Sequence, residues 1–431
     1  MLPYPTIFVP GITASYLKDY YDLPPQVIWS VVKKKYERIS LHPDNLNYEL
    51  RQPALVREDQ IFEIAYEELI DELRAELSDE ANAEVPVYPF SYDWRQPLGD
   101  TQQRLADFVQ QVTERTRLLP HYRGKPVKVN LVGHSMGGLV IARYLHDQAD
   151  PQPVNKVISL ASPFQGSVEA VAEIAIGVGN ISSLRPKHSK RRAARVTPAL
   201  YQLLPTFNGA VNADSGLSKE ILNRNTWQES ILNALTEYVE RAGSAAANPK
   251  EKARSLLNGL LRGARDNKKA IEDLDLARHG LTQADWLAVV GVNSKTRTSV
   301  ALTLRDDLRR FIFEKTHVAD DWLDIANWQN TGDGTVPFKG AVPPFLSEDR
   351  LVLITPDDYG FWEIGDEVLS KVGGFHGILP NMNLVQRMII QFFTDPDKQH
   401  GATWGRRVPG VVDWQPPLEL DERSDHGPAD K

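Results

Sequence analysis

A chain of 431 residues, 42% hydrophobic and 25% charged, has the composition of an ordinary folded protein and the length for one enlarged domain or two intimate ones. Its formal charge of −8 argues against a nucleic-acid binder, whose footprint is usually basic, and with no cysteine it has neither a disulfide framework nor a thiolate metal site. Too little chain precedes the apolar run at Thr6 for a secretory signal, and no apolar stretch reaches bilayer length, so a cytoplasmic protein is expected.

Thr6 to Gly11 is the first of four short apolar runs; Val85 to Trp94, Val127 to Gly133 and Val154 to Ser162 follow. They lack alternation, as strands buried on both faces do. Between them Leu105, Phe108, Val109 and Val112 repeat at helical spacing behind Asp100, read as an N-cap with Gln103 three positions on. Leu139, Val140, Tyr144 and Leu145 repeat in the same way. Strand, helix, strand in this rhythm predicts an α/β protein, a mostly parallel sheet with helices on both faces.

From Val168 to Asp285 the rhythm stops and the chain reads as helical and polar, with breakers at Gly177 to Asn180 and Ala242 to Lys250. Within it Thr226 to Val239 carries a capping-box pattern, Thr226 with Glu229, and an apolar stripe of Trp227, Ile231, Leu235, Tyr238 and Val239. Strands return at Trp286 to Val292, Thr298 to Leu304 and Arg350 to Pro356; a last amphipathic helix presents Leu384, Val385, Met388, Ile389, Phe392 and Phe393. The expected organisation is a core in two parts, 1–167 and 286–396, split by a helical cap or lid insertion at 168–285. A polar tail, 397–431, is expected to be loosely ordered.

The chemistry centres on Gly133-His134-Ser135-Met136-Gly137, a G-x-S-x-G sequence between a predicted strand and a predicted helix. Alone the pentapeptide is a tight turn; in that setting it is a nucleophile elbow, where small neighbours let strand and helix approach and leave Ser135 exposed to a substrate. His134 is read as a packed or hydrogen-bonded elbow residue and not as the base, since its direction opposes that of its neighbour. A serine hydroxyl needs a histidine base oriented by a carboxylate, in the order Ser, acid, His on this type of sheet. Downstream, Asp333 lies between two glycines in a turn, and His376 lies in a glycine-rich loop before the last helix. His400 and His426 fall in the polar tail, and the rival acids Asp320, Asp321 and Asp324 read as a helix start. Two backbone amides complete the set as an oxyanion hole: Met136 after the nucleophile, and Ile12, with Thr13 as the alternative, after the first strand.

Several segments in one order resemble the lecithin:cholesterol acyltransferase-like branch of the α/β-hydrolases, which includes phospholipases and phospholipid:diacylglycerol acyltransferases. They are Ile7 to Ile12, Phe90 to Arg95, Gly133 to Gly138, Ser162 to Ser167, Thr197 to Pro205 and Gly332 to Pro337. The resemblance implies an α/β-hydrolase fold and acyl-ester chemistry by Ser135, Asp333 and His376, with no metal and no organic cofactor. The secreted animal members brace their lid with a disulfide; without cysteine, this cap must be held by packing.

The expected function is a serine ester hydrolase of lipase or phospholipase type acting on lipid or other hydrophobic acyl esters through an acyl-enzyme. An O-acyltransferase is the chemical alternative, and an inert hydrolase-fold binding or membrane-associating module is the alternative of another class. Arg185 to Val196 holds six Lys or Arg and no acid, either a solvated cap face or a surface for anionic lipid headgroups. Asp93 and Arg95 are read as an internal ion pair, and Trp94 as core. No nucleic-acid partner is expected, and nothing in the sequence sets an oligomeric state.

Overall fold

The computed structural model describes residues 3–50, 55–78, 83–178, 188–244, 247–313, 328–360, 374–394 and 403–421. The chain begins with β1 (Thr6–Val9), β2 (Ser15–Asp19), β3 (Gln26–Trp29), α1 (Tyr36–Ile39), β4 (Val56–Ile61), α2 (Glu63–Glu76) and β5 (Val87–Pro89). Next come α3 (Leu98–Arg117), β6 (Val129–His134), α4 (Met136–Asp147), β7 (Val154–Leu160), α5 (Val168–Ile176), α6 (His188–Arg195), α7 (Pro198–Tyr201) and β8 (Val211–Ala213). After α8 (Glu229–Ala242) and α9 (Pro249–Glu272) run β9 (Trp286–Gly291), β10 (Val300–Arg305), β11 (Leu308–Ile312), α10 (Phe338–Ala341) and β12 (Leu351–Ile354). The last elements are α11 (Phe375–Ile378), α12 (Asn383–Phe393), β13 (Trp404–Gly405) and β14 (Glu419–Leu420).

Six of these strands form a parallel sheet in the order β12-β9-β7-β6-β1-β5. The apolar runs are continuous because each strand feeds two cores in turn. Ile7, Leu131, Val157, Val290 and Leu353 face a core shared with α3 and α4, while Phe8, Val132, Ile158, Val289 and Val352 face one shared with α2 and α12. Period two along a strand therefore chooses between helical layers, not between core and solvent. This is the α/β-hydrolase fold, with helices on both faces of the sheet and a helical insertion, α8 and α9, between its strands.

Several local expectations are corrected. Only Val87–Pro89 of the second apolar run pairs as a strand. β10 leaves the main sheet and pairs with β8 and β11, and β2, β3 and β4 form a further small sheet absent from the sequence reading. Helix α3 starts at Leu98, so Asp100 lies in its first turn and not at its cap; the Leu98 amide is satisfied by the Gln202 side chain, 104 residues away. Thr226 sits in a short 3₁₀ turn and donates to the Glu220 carbonyl, so α8 begins at Glu229 without a side-chain cap.

Within the expected polar tail, residues 403–421 pack against the sheet. Leu353 donates its amide to the Arg406 carbonyl (2.8 Å), and Trp414 donates its indole N–H to Leu351 (2.9 Å), so residues 403–421 lie along the β12 edge. Arg406 pairs with Asp358 and Asp421 beneath this strap. At the other side, α9 is joined to α4 where Arg143 donates to the buried Asn267 (3.1 Å). Among the described residues no helix is long and apolar enough to cross a membrane.

Candidate active site

Ser135 occupies the turn between β6 and α4 with φ +53° and ψ −126°, a backbone region that a residue with a side chain enters at a cost of about 1–3 kcal/mol. The neighbours explain how it is held. A Cβ on Gly137 would lie 2.0 Å from the Val9 carbonyl oxygen, so the elbow closes against β1 only because that position is bare. The Ser135 amide donates to the Leu160 carbonyl (2.8 Å), which fixes the turn from the other side.

The structure brings Ser135, Asp333 and His376 together. His376 Nδ1 lies 2.7 Å from Asp333 Oδ2, and His376 Nε2 lies 2.9 Å from Ser135 Oγ. Asp333 is 1% exposed, and its other oxygen accepts from the Thr335 and Val336 amides at 2.9 and 2.7 Å. A carboxylate with these donors accepts from Nδ1–H, which leaves Nε2 as the acceptor for the serine proton. Asp333 in turn is placed by Ser294, just beyond β9, which pairs with Gly332 and Asp333. The His376 amide donates to the Asp333 carbonyl (2.9 Å), so acid and base are tied by backbone as well as by side chain. Asp320, Asp321, Asp324, His400, His426 and Arg185 lie outside the described residues.

Ile12 and Thr13 stand at the corner of a turn closed by Ala14 N–H to the Gly11 carbonyl (3.3 Å), and Thr13 has φ +64°. A Cβ on Gly11 would lie 3.0 Å from that of Ser135, so this loop rests against that serine. Met136 is the first residue of α4, where an amide has no acceptor within the helix. Beside the loop is a small cavity whose walls include Ile12, Trp29, Trp94, Leu200 and the buried pair Lys190 and Glu173, 3.1 Å apart. Ser135 itself is only 6% exposed.

His134 is buried and uses both ring nitrogens. Nε2 lies 2.9 Å from the His376 carbonyl, which can only accept, so Nε2 carries the proton; Nδ1 then accepts from the Tyr66 hydroxyl at 2.8 Å. The Tyr66 oxygen in turn accepts from the Gly11 amide at 3.4 Å. Burial, and then the nearby His376, hold His134 well below the ordinary histidine range, in keeping with a neutral ring. A chain of hydrogen bonds thus runs from the Gly11 loop through the elbow to the backbone of His376. Tyr66 was not anticipated; the helical spacing of Tyr66, Leu69, Ile70 and Leu73 was the available signal.

Asp93 and Arg95 pair inside the fold, as read, and Glu49 joins them. The guanidinium donates to both Asp93 oxygens (2.8 and 2.7 Å) and lies 2.5 Å from Glu49. Burial opposes charge on all three; contact with Arg95 nevertheless holds Asp93 below its usual value, while Glu49 remains raised. Trp94 packs on Trp29 with ring centroids 4.9 Å apart.

Residues 55–268, just under half of the chain, match the lecithin:cholesterol acyltransferase family. A 42-residue stretch is 50% identical to phospholipase A(1) LCAT3 of Arabidopsis thaliana, covering 9% of this chain and 9% of that protein, far less than two thirds of its length. One chain in the crystal structure of the Tle4–Tli4 complex is similar over 80% of this chain and 90% of its own, with a TM-score of 0.55 at 14% identity, a likeness of fold. The chain is a member of the α/β-hydrolase superfamily, matching the lecithin:cholesterol acyltransferase family over part of its length and only weakly similar to the Arabidopsis phospholipase.

Proposed function

We propose that the protein is a serine ester hydrolase of lipase or phospholipase type. The observation that carries this reading is the single imidazole, His376, within hydrogen-bond reach of Ser135 on one nitrogen and of Asp333 on the other. Ser135 Oγ attacks the ester carbonyl as His376 Nε2 takes its proton, and Asp333 holds the ring in that tautomer and stabilises the imidazolium. The Ile12 and Met136 amides receive the tetrahedral oxyanion, each worth about 3 kcal/mol. His376 then protonates the leaving alcohol, and water releases the acid from the acyl-enzyme. The match to the lecithin:cholesterol acyltransferase family supports a lipid or other hydrophobic acyl ester, with 168–285 as the cap over the site.

Fluorophosphonate labelling with mapping of the modified peptide tests the reading. Labelling at Ser135 is expected, and turnover is expected to fall about 10⁶-fold in Ser135→Ala or His376→Ala and about 10⁴-fold in Asp333→Asn. Folded wild-type protein that takes up no label would overturn it in favour of an inert module. The burial of Ser135 favours a second reading, transfer to an alcohol in place of water. A long-chain alcohol that yields new ester at the expense of acid would establish transfer.

A further inference from the structure

A second feature concerns arginines remote in sequence from the elbow. In α6 the positions His188, Arg191, Arg192 and Arg195 follow the spacing i, i+3, i+4, i+7 and share one face, while Lys190, Ala193 and Ala194 are buried. That face and α8 enclose a cavity of about 630 Å³, whose wall also includes Tyr238, Arg241 and one carboxylate, Glu237. A chain of net charge −8 therefore gathers four arginines around one opening.

Arg191, Arg192 and Arg195 are fixed by contacts that do not neutralise them, while Arg241 stands exposed at the rim. Arg195 donates to the Ile174 and Ala175 carbonyls at the end of α5 (3.0 and 3.1 Å). The stem of Arg191 occupies the space above Gly177, where a Cβ would come within 2.1 Å of it, and its guanidinium donates to His188 Nδ1 (2.8 Å). Arg192 stands over the Tyr238 ring at 5.6 Å, and its Nε is buried with no partner. Among the described residues no carboxylate forms an ion pair with any of the four. Burial first, and the Arg191 charge as a further cause, hold Arg195 below its usual value. A cavity of similar size, about 610 Å³, is a partial contrast: of the four cations on its wall, Lys268 and Lys269 are paired with Glu272 and Asp273, while Arg265 donates to the Leu222 carbonyl.

We propose that the cavity between α6 and α8 binds a phosphate-class anion, with the guanidinium groups of Arg192 and Arg241 as its principal donors and Arg191 beside them. Planar guanidinium forks match the oxygens of a phosphomonoester or phosphodiester, and such an anion supplies the missing countercharge. The site is independent of Ser135 and stands whether or not the serine reacts. A free phosphate and the headgroup of a lipid present the same chemistry to it.

Calorimetric titration with inorganic phosphate and sedimentation with vesicles, of phosphatidylcholine alone or with added phosphatidylglycerol, separate the sources. Arg192→Gln/Arg241→Gln is the test variant, leaving Arg195 on its helix end, and Arg117→Gln/Arg123→Gln, two exposed arginines elsewhere, is the charge-matched control. Circular dichroism checks that both fold; should the test pair fail to fold, Arg241→Gln alone takes its place. Phosphate binding weakened about tenfold or more by the test pair and spared by the control supports a site for free phosphate. Vesicle binding with that same pattern, without phosphate binding, supports a headgroup site. Binding to neither probe, or equal loss in test and control, overturns the proposal.

Discussion

Tyr66 has no part in bond making, yet its hydroxyl joins the loop before Ile12 to the ring of His134. Tyr66→Phe leaves His134 Nδ1 without a donor in a dry site, a loss of about 1–3 kcal/mol. The expected result is a lower urea midpoint together with slower labelling of Ser135, measured side by side; an unchanged labelling rate would deny the hydroxyl a positioning role. His134 contributes a pH dependence of defined sign. The unfolded chain takes up its proton below about pH 6.5 while the folded ring resists, so this stability is complete above that pH and is lost as pH falls below it. His134→Gln, which keeps a donor and an acceptor, is expected to flatten that acid slope in urea midpoints compared across pH. At this scale the sequence displayed Ser135, Asp333 and His376 because glycine-rich turns and chain order mark them. It could not display Tyr66, whose partner lies 68 residues away.

Helices α5 and α6 are held together by packing and internal charge. Glu173 and Lys190 face each other at 3.1 Å, both side chains almost fully buried. Lys190→Met removes a cationic partner of the buried Glu173 carboxylate and is expected to cost about 3–5 kcal/mol, whereas Glu173→Leu/Lys190→Met recovers most of it. A double-mutant cycle in urea measures the coupling, and independent, additive losses would refute it. Elements with a strong local pattern, such as the helical apolar period of α12 and the unbroken apolar run of β9, are legible because their burial follows from that pattern. Helix starts were not: Gln202 caps α3 from across the fold, so no local residue could announce Leu98 as the beginning.

For the whole molecule, the parallel sheet was legible from its unbroken apolar strands, while the small sheets were not, because β2 to β4 and β10 carry polar and half-exposed positions. The strap 403–421 has the composition of a loose tail, yet it pairs by backbone with an edge strand, which composition does not reveal. Trp414→Ala removes the indole bond to Leu351 and is expected to cost about 1–3 kcal/mol and to promote aggregation on heating, as β12 loses its cover. Light scattering during thermal unfolding checks this, and a heating curve like that of the wild type would show that the edge is protected by other means. The bond from Arg143 to Asn267 bears on engineering. The helix that begins just after Ser135 also bears α9, so an insertion exchanged for one without an amide at the place of Asn267 leaves Arg143 without that partner. Chimeras that exchange the outer face of α4 together with α9 are the ones expected to keep Ser135 in register.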